Sequence, residues 1–373
     1  MVKKQNTIKT DINLFVLITG ALVAIGLVFI YSSSSVYALE KFGIPHYFLQ
    51  KQFFGLILGI FGGIVAFLVP LKVIKKFTPY IFGGALLLTG ATLIGSLSQR
   101  IHGSSRWIKL FGFSFQPSEM LKLAMIMYIA YIITKKQGKL QSFFNAYLPI
   151  MIILGVTSLI LLKQPDFGLT VTLATTVFMM LFAAKCNYKH LLLTAMGFIP
   201  AAVYLIVLKP YRLKRILTFL NPWDDPQGAG FQIIQSLIAI GSGNIWGLGI
   251  ANSKQKFFYL PMQHTDFIFS IIAEETGFMG SLLIIILFIS FMYLGMRISW
   301  QLKDSYSRFT ILGFVILISL QAIINLSVAT GLAPTKGIGL PFVSYGNTSL
   351  VCNLCMIGFI LNIVYSEICS REK

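Results

Sequence analysis

Runs of about 20 apolar residues, the length that crosses the roughly 30 Å hydrocarbon core of a bilayer, recur along the chain between shorter polar segments. Ten such runs begin near Leu14, Phe53, Tyr80, Pro117, Leu148, Thr170, Leu191, Phe267, Thr310 and Leu350. The pattern predicts an all-α polytopic membrane protein with about ten transmembrane helices. We expect a single integral membrane domain over residues 1–373, with external loops at about 96–118, 209–266 and 330–347 and the largest of them between spans seven and eight.

The composition supports the same class. Of 373 residues, 56% are hydrophobic and only 11% are charged, and the mean hydropathy is +0.80. A chain of this size with so few polar residues cannot cover the surface of a soluble globule, so soluble classes are excluded. The first apolar run follows Lys3, Lys4 and Lys9, but its length and its lack of a small-residue cleavage site favour a retained helix over a secretory signal.

The distribution of basic residues predicts the orientation. With ten spans, both termini share a side, and the short basic loops that contain Lys72, Lys135 and Arg297 fall on the same side as Lys3. That side is the cytoplasm by the positive-inside rule. Both termini are therefore predicted to be cytoplasmic and the three long loops extracytoplasmic.

One carboxylate stands out in the stretch Lys256–Gly277, KFFYLPMQHTDFIFSIIAEETG, because Asp266 comes directly before a long apolar helix. Ionised groups at membrane depth are costly and are usually retained where they face a cavity, a partner or a substrate. Asp266 is therefore a candidate functional residue. His264, two residues earlier, either orients Asp266 or caps the helix.

Many of the cations behind the net charge of +18 fall in the external loops. They are Arg100, Arg106, Lys109, Lys209, Arg212, Lys214, Arg215, Lys254, Lys256 and Lys336. Such a cluster either contacts lipid headgroups or lines an anion-binding cavity. The glycine-rich turns of the same loops favour the cavity, although Lys336 by itself also fits a snorkelling residue at a helix end.

Other polar residues have two interpretations each. Trp107 is either an interfacial anchor or part of the site. Glu119 and Lys122 share one helix face at a spacing of three, and the pair either stabilises the bundle or lines a polar cavity. Asp166, at the junction of spans five and six, either forms a structural pair with Lys163 or lines the same cavity.

Several other kinds of site find little support. Cys352 and Cys355 form a CxxC inside the last apolar run with no second pair nearby, which is typical of buried small hydrophobes. Neither GxxxxGKS nor GxGxxG before a helix occurs, so no nucleotide site is supported, and we predict no nucleic-acid partner. Asp224 and Asp225 fit a loop turn better than a metal site.

Five motifs, taken together and in this order, closely resemble the SEDS family of shape, elongation, division and sporulation proteins. The motifs are RWIKLFGFSFQPSEMLKLA (106–124), QPDFG (164–168), NPWDDPQGAGFQIIQSLIAIGSG (221–243), YLPMQHTDFIFSIIAEETG (259–277) and PTKGIGLPFVSYGN (334–347). The resemblance covers essentially all of the chain from the first span. NPWDDPQGAGFQ, QKFFYLP and PTKG are more similar to the FtsW-like division branch than to the RodA-like elongation branch.

The resemblance implies a peptidoglycan glycosyltransferase that polymerises lipid II on the outer face of the bacterial cytoplasmic (inner) membrane. An inverting reaction with undecaprenyl diphosphate as the leaving group, in septal cell-wall synthesis, would be expected. The implied partners are a class B penicillin-binding protein, which is the transpeptidase, and other divisome proteins. The only cofactor left open is a divalent cation, Mg²⁺ or Mn²⁺.

The resemblance also implies site residues. Asp266 matches the catalytic carboxylate, and a partly desolvated carboxylate has the raised proton affinity that suits a general base. We expect substrate binding by Arg106, Trp107, Lys109, Glu119, Lys122, Asp166, Arg212, Arg215, Lys254, His264, Lys336 and Ser344.

The sequence departs from the family at Met262, where relatives commonly have Glu, and at Asn347 and Thr348, which replace Gly and Ser. Alternatives to a polymerase of the division branch are a lipid II flippase, a RodA-like elongation polymerase, and a scaffold that only activates a transpeptidase. A transporter should show internal inverted repeats, and the sequence contains no convincing repeat.

Overall fold

The computed structural model describes residues 2–94, 99–101, 104–110, 113–257, 260–261 and 263–372. This part of the chain forms twelve α-helices and three short strands. The helices are α1 (Val2–Phe42), α2 (Tyr47–Leu68), α3 (Leu71–Ala91), α4 (Pro117–Lys135), α5 (Leu148–Lys163), α6 (Phe167–Ala183), α7 (Tyr188–Val207), α8 (Pro210–Leu220), α9 (Phe231–Ser242), α10 (Ile268–Gln301), α11 (Ser305–Ala329) and α12 (Asn347–Glu372). The strands are β1 (Gln99–Ile101), β2 (Ser104–Leu110) and β3 (Phe113–Phe115).

Each of the ten predicted apolar runs is a helix in the structure, which confirms the polytopic all-helical class. Within the described ranges, eight helices are long and apolar enough to cross a membrane. They are α1, α2, α4, α5 together with the helical turn Phe143–Tyr147 that precedes it, α7, α10, α11 and α12. The remaining two predicted spans are α3 and the 17-residue α6. Large apolar side chains such as Phe61, Leu87 and Phe182 are 66–76% exposed on the outside of the bundle, as expected of a surface in contact with lipid. The count of ten spans and the bounds of the external loops stay predictions.

A face of small residues lets α2 and α12 pack closely. A Cβ atom added at Gly59 would lie 2.6 Å from a Leu354 side-chain carbon, and one at Gly63 would lie 3.0 Å from the Leu354 carbonyl oxygen. Glycines spaced by four residues are the usual device for such an approach between membrane helices. The spacing of Gly55, Gly59 and Gly63 in the sequence predicts such a packing face, and the structure confirms it.

We expect Gly358→Ala to destabilise the protein by about 1–3 kcal/mol, because a Cβ at residue 358 would come within 2.1 Å of the Gly63 carbonyl oxygen and force the two backbones apart. Gly83→Ala is the matched control, since nothing lies within 4 Å of a Cβ there and alanine favours a helix. Thermal unfolding of both variants in detergent tests this. Equal melting temperatures for the two variants would contradict the packing argument.

Part of the first external loop is a small antiparallel sheet. β2 pairs with β1 on one side and with β3 on the other, with Arg100 opposite Ser105 and Lys109 opposite Ser114. Pairing with β1 and then with β3 satisfies part of the backbone groups along β2. Because successive strand residues point to opposite faces, β2 directs Arg106 toward the helices.

The helix that follows Asp266 is longer than predicted, and it is interrupted. α10 has 34 residues, and Gly277 has φ +68° and ψ −161°, far from helical values. A side chain there would collide with the segment after α9, since a Cβ would lie 2.4 Å from the Gly247 nitrogen. That same segment satisfies a backbone group freed by the kink, because the Phe278 N–H donates to the Asn244 carbonyl at 2.9 Å. The kink therefore anchors the large external region to the bundle.

The segment QIIQSLIAIGSG, whose apolar spacing predicts an amphipathic helix, forms most of α9. Its buried Ser236 hydroxyl lies 2.5 Å from the Ser270 hydroxyl on α10 and donates to the Ala329 carbonyl at the end of α11, at 2.6 Å. These contacts attach α9 to the two helices whose ends carry the candidate site.

Candidate active site

Asp266 lies in the turn just before α10, and the last external loop holds it in position. Asn325 on α11 donates through Nδ2 to the carbonyl oxygens of Asp266 and Ile338, each at 2.8 Å. The Ser344 hydroxyl donates to the Thr265 carbonyl at 2.5 Å. The backbone of Asp266 is thus tied to residues that lie about 60–80 positions further along the chain.

The Asp266 carboxylate is half-buried and faces the backbone of that loop. A Cβ at Gly337, which has φ +68°, would lie 3.7 Å from Oδ2 of Asp266. Burial raises the pKa of the Asp266 carboxyl to about 6, and the nearby Arg215 guanidinium opposes this rise. Arg215 is itself held by a hydrogen bond of 3.2 Å to the Thr335 carbonyl. A carboxylate with a pKa near 6 is ionised at neutral pH and can take up a proton during a reaction.

Lys336 brings a second cation next to Gly337. Its backbone lies against the start of α6, because a Cβ at Gly168 would be 3.3 Å from the Lys336 carbonyl oxygen. Burial lowers the pKa of the Lys336 ammonium. Among the described residues the ammonium has no hydrogen-bond or ion-pair partner. An unpaired and partly desolvated cation is suited to bind an anion from outside the protein.

Arg106 on β2 closes over the junction of α5 and α6. It donates to the carbonyl oxygens of Gln164 and Pro165 at 3.2 and 2.5 Å, and its Nη1 lies 3.4 Å from Oδ2 of Asp166. The interpretation of Asp166 as a partner of Lys163 is wrong, since Lys163 is exposed at the end of α5 whereas Asp166 is buried under β2. Burial raises the pKa of the Asp166 carboxyl, and Arg106 offsets part of the rise.

The ion pair predicted at the start of α4 is confirmed. Lys122 Nζ lies 2.7 Å from Glu119 Oε2, with the side chains only 1% and 11% exposed. Both charges act electrostatically on Asp166. The structure therefore brings Arg106, Asp166, Glu119 and Lys122 into one polar network.

Arg212, on α8, lies close to that network. Its guanidinium carbon is 5.2 Å from the centre of the Phe167 ring, next to Asp166, and its Nη1 donates to the Leu205 carbonyl at 3.0 Å. The side chain is buried. Arg212 thus adds positive charge near the start of α6.

The other predicted substrate-binding residues have different surroundings. The His264 ring packs against Phe48 and Tyr345, with centroids 4.4 and 5.7 Å away, and burial lowers the pKa of His264 to about 4. It is therefore neutral at physiological pH. The Ser344 hydroxyl donates its one proton to the Thr265 carbonyl. Ser344 therefore holds the last external loop in place. Lys254 has an exposed side chain, and its amide donates to Glu274 Oε1 at 2.9 Å.

Trp107 is half-buried on β2. Two other predicted features fall outside the described side chains. Lys109 lies on the same strand, but its side chain is outside the described part. Met262, the first departure from the family pattern, is also outside it. Thr348, at the second departure, accepts a hydrogen bond of 3.3 Å from the Gln116 N–H and so joins α12 to the start of α4.

Sequence reasoning missed two buried acids of α10. Glu275 accepts hydrogen bonds of 2.6 and 2.7 Å from the Ser32 hydroxyl and lies 3.7 Å from Lys256 Nζ. Glu274 accepts from the Lys254 amide and from the Ser253 hydroxyl. The signal that singled out Asp266, an acid in an apolar run, applied to both. Their partners show that they anchor the external segment onto α10.

Comparisons with known proteins agree on one family. The sequence profile described as cell cycle protein, FTSW_RODA_SPOVE, matches residues 12–368. The chain is 43% identical over 342 residues to the probable peptidoglycan glycosyltransferase FtsW of Geobacter sp. (strain M18), covering 92% of this chain and 93% of the relative. It is 39% identical over 350 residues to stage V sporulation protein E of Bacillus subtilis (strain 168), covering 94% and 96%.

Solved structures share the fold. A chain from a structure described as structural coordination of polymerization and crosslinking by a peptidoglycan synthase complex superposes with a TM-score of 0.78 at 29% identity, covering 95% of this chain and 97% of that one. The rod shape determining protein RodA of Thermus thermophilus superposes with a TM-score of 0.70 at 24% identity, covering 95% and 96%. The latter similarity concerns the fold alone.

Proposed function

Because the chain belongs to the family of FtsW, RodA and SpoVE cell cycle proteins, we propose that it is a peptidoglycan glycosyltransferase of septal cell-wall synthesis, with lipid II as its substrate. The protein is a multi-pass membrane protein. The observation that carries the proposed chemistry is the half-buried carboxylate of Asp266, flanked by Arg215 and by the loop that carries Lys336.

In the proposed reaction, the 4-hydroxyl of an acceptor sugar attacks the anomeric carbon of a donor sugar that is held α to a diphosphate. The new C–O bond forms as the bond from the anomeric carbon to the diphosphate oxygen breaks, so the configuration inverts. The hydroxyl proton passes to the Asp266 carboxylate, and undecaprenyl diphosphate leaves with the electron pair. Asp266 suits this role because a base whose pKa lies near the working pH transfers protons efficiently.

The cations of the site would bind the diphosphate groups. Lys336 belongs to the segment 335–337, and Arg215 donates to the Thr335 carbonyl of the same segment; both cations would stabilise the charge that develops on the leaving group. We propose that Arg106, Arg212 and the polar network around Asp166 form the neighbouring part of the binding surface, extended by Trp107 and Lys109 on β2.

The proposed reaction uses only side chains of this protein and groups of the substrate. In the part of the chain that the structure describes, no three His, Cys, Asp or Glu side chains lie close enough together to hold a metal ion. A divalent cation such as Mg²⁺ or Mn²⁺ would therefore take most of its ligands from the substrate's phosphate oxygens. No step above depends on one.

The proposed location is the bacterial inner membrane, with Asp266 on the extracytoplasmic face and both termini in the cytoplasm. The proposed partner is a class B penicillin-binding protein that cross-links the new strands, within a larger divisome. The similarity to a chain of a peptidoglycan synthase complex supports such a partner, and the basic short loops support the orientation.

We expect the rate of polymerisation to fall about tenfold between pH 7 and pH 5, because a base with a pKa of about 6 is mostly ionised at the first pH and mostly protonated at the second. Initial rates of lipid II consumption across this range test the prediction. Return to pH 7 must restore the rate, which separates titration from unfolding. A flat profile between pH 5 and pH 7 would rule out Asp266 as a base with this pKa.

The proposed function is tested with the purified chain, its cognate class B partner and lipid II in a membrane mimetic. We expect glycan polymer with β-configured links, detected by gel separation and by the anomeric signals in NMR spectra. If no preparation makes polymer while the same protein moves lipid II across vesicle membranes, the flippase alternative replaces the polymerase.

A further inference from the structure

A cavity lies at the other end of the bundle from Asp266. It has a volume of about 270 Å³ and is formed where α6 and α10 end and α11 begins. The part of α10 after its kink, residues 278–301, separates the two sites and spans roughly 36 Å at 1.5 Å per residue. The residues of the cavity are therefore not part of the site around Asp266.

The polar groups that remain available in the cavity are hydrogen-bond donors. Arg308 donates through Nη2 to the Leu302 carbonyl at 2.7 Å. The Nη1 group of the same guanidinium has no hydrogen-bond partner among the described residues, and the side chain lines the cavity. The side-chain oxygen of Gln137 accepts a hydrogen bond from the Ser305 hydroxyl at 3.0 Å. The NH₂ group of Gln137 therefore remains available as a donor. Lys185 adds an exposed ammonium at the rim.

No acid balances these cations in the cavity wall, as far as the described residues show. The acid nearest in sequence to Arg308, Asp304, is engaged elsewhere, because it lies 3.5 Å from Lys75 Nζ and accepts a hydrogen bond of 2.9 Å from the Ser307 amide. A set of cationic and neutral donors without an anionic acceptor is complementary to an oxyanion such as a phosphate.

The rim of the cavity indicates where the phosphate comes from. Trp300 on α10 is 61% exposed and forms both a wall of the cavity and the edge of an open groove with Tyr293 and Met296. Exposed aromatic rings at the ends of membrane helices lie at headgroup level. A lipid could place its headgroup in the cavity and an acyl chain along the groove.

We propose that this cavity binds the phosphate of an anionic lipid headgroup at the cytoplasmic face of the membrane. Arg308 and Gln137 hold the phosphate oxygens, and Lys185 provides long-range attraction at the rim. This site is independent of the proposed glycosyltransferase activity.

Native mass spectrometry of the purified full-length protein, titrated with phosphatidylglycerol or phosphatidylcholine, tests the proposal. We expect tighter binding of phosphatidylglycerol and a loss of about fivefold in its affinity for each of Arg308→Gln and Lys185→Gln, because each cation near a membrane surface contributes about that factor. Lys303→Gln is the matched control, since it removes an exposed cation of the turn between α10 and α11 that does not line the cavity. The affinity of the Lys303→Gln variant for phosphatidylglycerol should equal that of the wild type.

Equal phosphatidylglycerol affinity in the wild type and both cavity variants would overturn the proposal. If Arg308→Gln does not fold because the Leu302 carbonyl loses its donor, Lys185→Gln decides alone. A third arm adds millimolar inorganic phosphate to lipid-free protein. A rise in melting temperature that depends on Arg308 and Lys185, without selectivity between the two lipids, would keep the phosphate site but overturn its assignment to a lipid.

Discussion

Asp266→Asn is expected to lower the rate of glycan polymerisation by roughly 1,000-fold while the protein stays folded, because the amide cannot accept the proton of the attacking hydroxyl. The substitution keeps the size of the side chain, and the hydrogen bonds that hold this turn use backbone carbonyls. The measurement is the initial rate of polymer formation from lipid II by the complex with its class B partner.

Asp225→Asn is the matched control for this substitution. Asp225 is also an acid of the large external region, but its side chain is 47% exposed, it pairs with Lys214 at 3.3 Å, and it accepts a hydrogen bond from the Ala229 amide within its own turn. Its loss should leave the rate of polymerisation nearly unchanged. If Asp266→Asn retains the wild-type rate, or if Asp225→Asn loses as much, Asp266 is not the base.

Lys122→Met is expected to cost about 3–5 kcal/mol of stability, because it leaves the Glu119 carboxylate buried without its partner. The ammonium is 1% exposed, so water cannot replace it. Thermal unfolding in detergent, with retention of the monodisperse species after heating, measures the loss.

Two further variants test whether the loss of stability comes from breaking the buried ion pair. Lys75→Met removes one member of the pair between Lys75 and Asp304, whose side chains are 38% and 42% exposed, so it should cost no more than about 1 kcal/mol. The double variant Glu119→Gln with Lys122→Met removes both buried charges and should recover most of the stability. If the single variant is as stable as Lys75→Met, the pair does not stabilise the bundle.

The activity of the stable double variant then separates the two interpretations of the pair. A neutral pair that still supports polymerisation acts only in packing. A folded but inactive double variant places Glu119 and Lys122 in the substrate-binding network around Asp166.

Much of the helical architecture was predictable because each local pattern agrees with the final fold. The ten apolar runs are helices, the glycines at 55, 59 and 63 form a packing face, and the spacing of Glu119 and Lys122 places them on one face where they pair. These features depend on residues within a few turns of one another. In addition, a membrane requires the backbone N–H and C=O groups to form hydrogen bonds within the protein, which favours helices.

Contacts between segments that are distant in the sequence could not be predicted in the same way. The partner of Asp166 is Arg106, about 60 residues earlier, and not Lys163, three residues earlier. His264 packs among rings from α2 and the last external loop instead of standing free beside Asp266. Glu274 and Glu275 carried the same sequence signal as Asp266, and only their contacts with Ser32 and the external segment separate anchoring acids from the candidate base.

The sequence by itself determined that this protein is a bundle of apolar helices and that Asp266 is a costly acid at the end of one of them. Only the tertiary structure decided what surrounds that acid: Gly337, where an added Cβ would lie 3.7 Å from the Asp266 Oδ2 atom, the Arg215 charge, and Asn325 from another helix. The physical reason is that helix formation follows the local apolar pattern, whereas the proton affinity of a carboxylate depends on burial and on charges that distant parts of the chain bring to it.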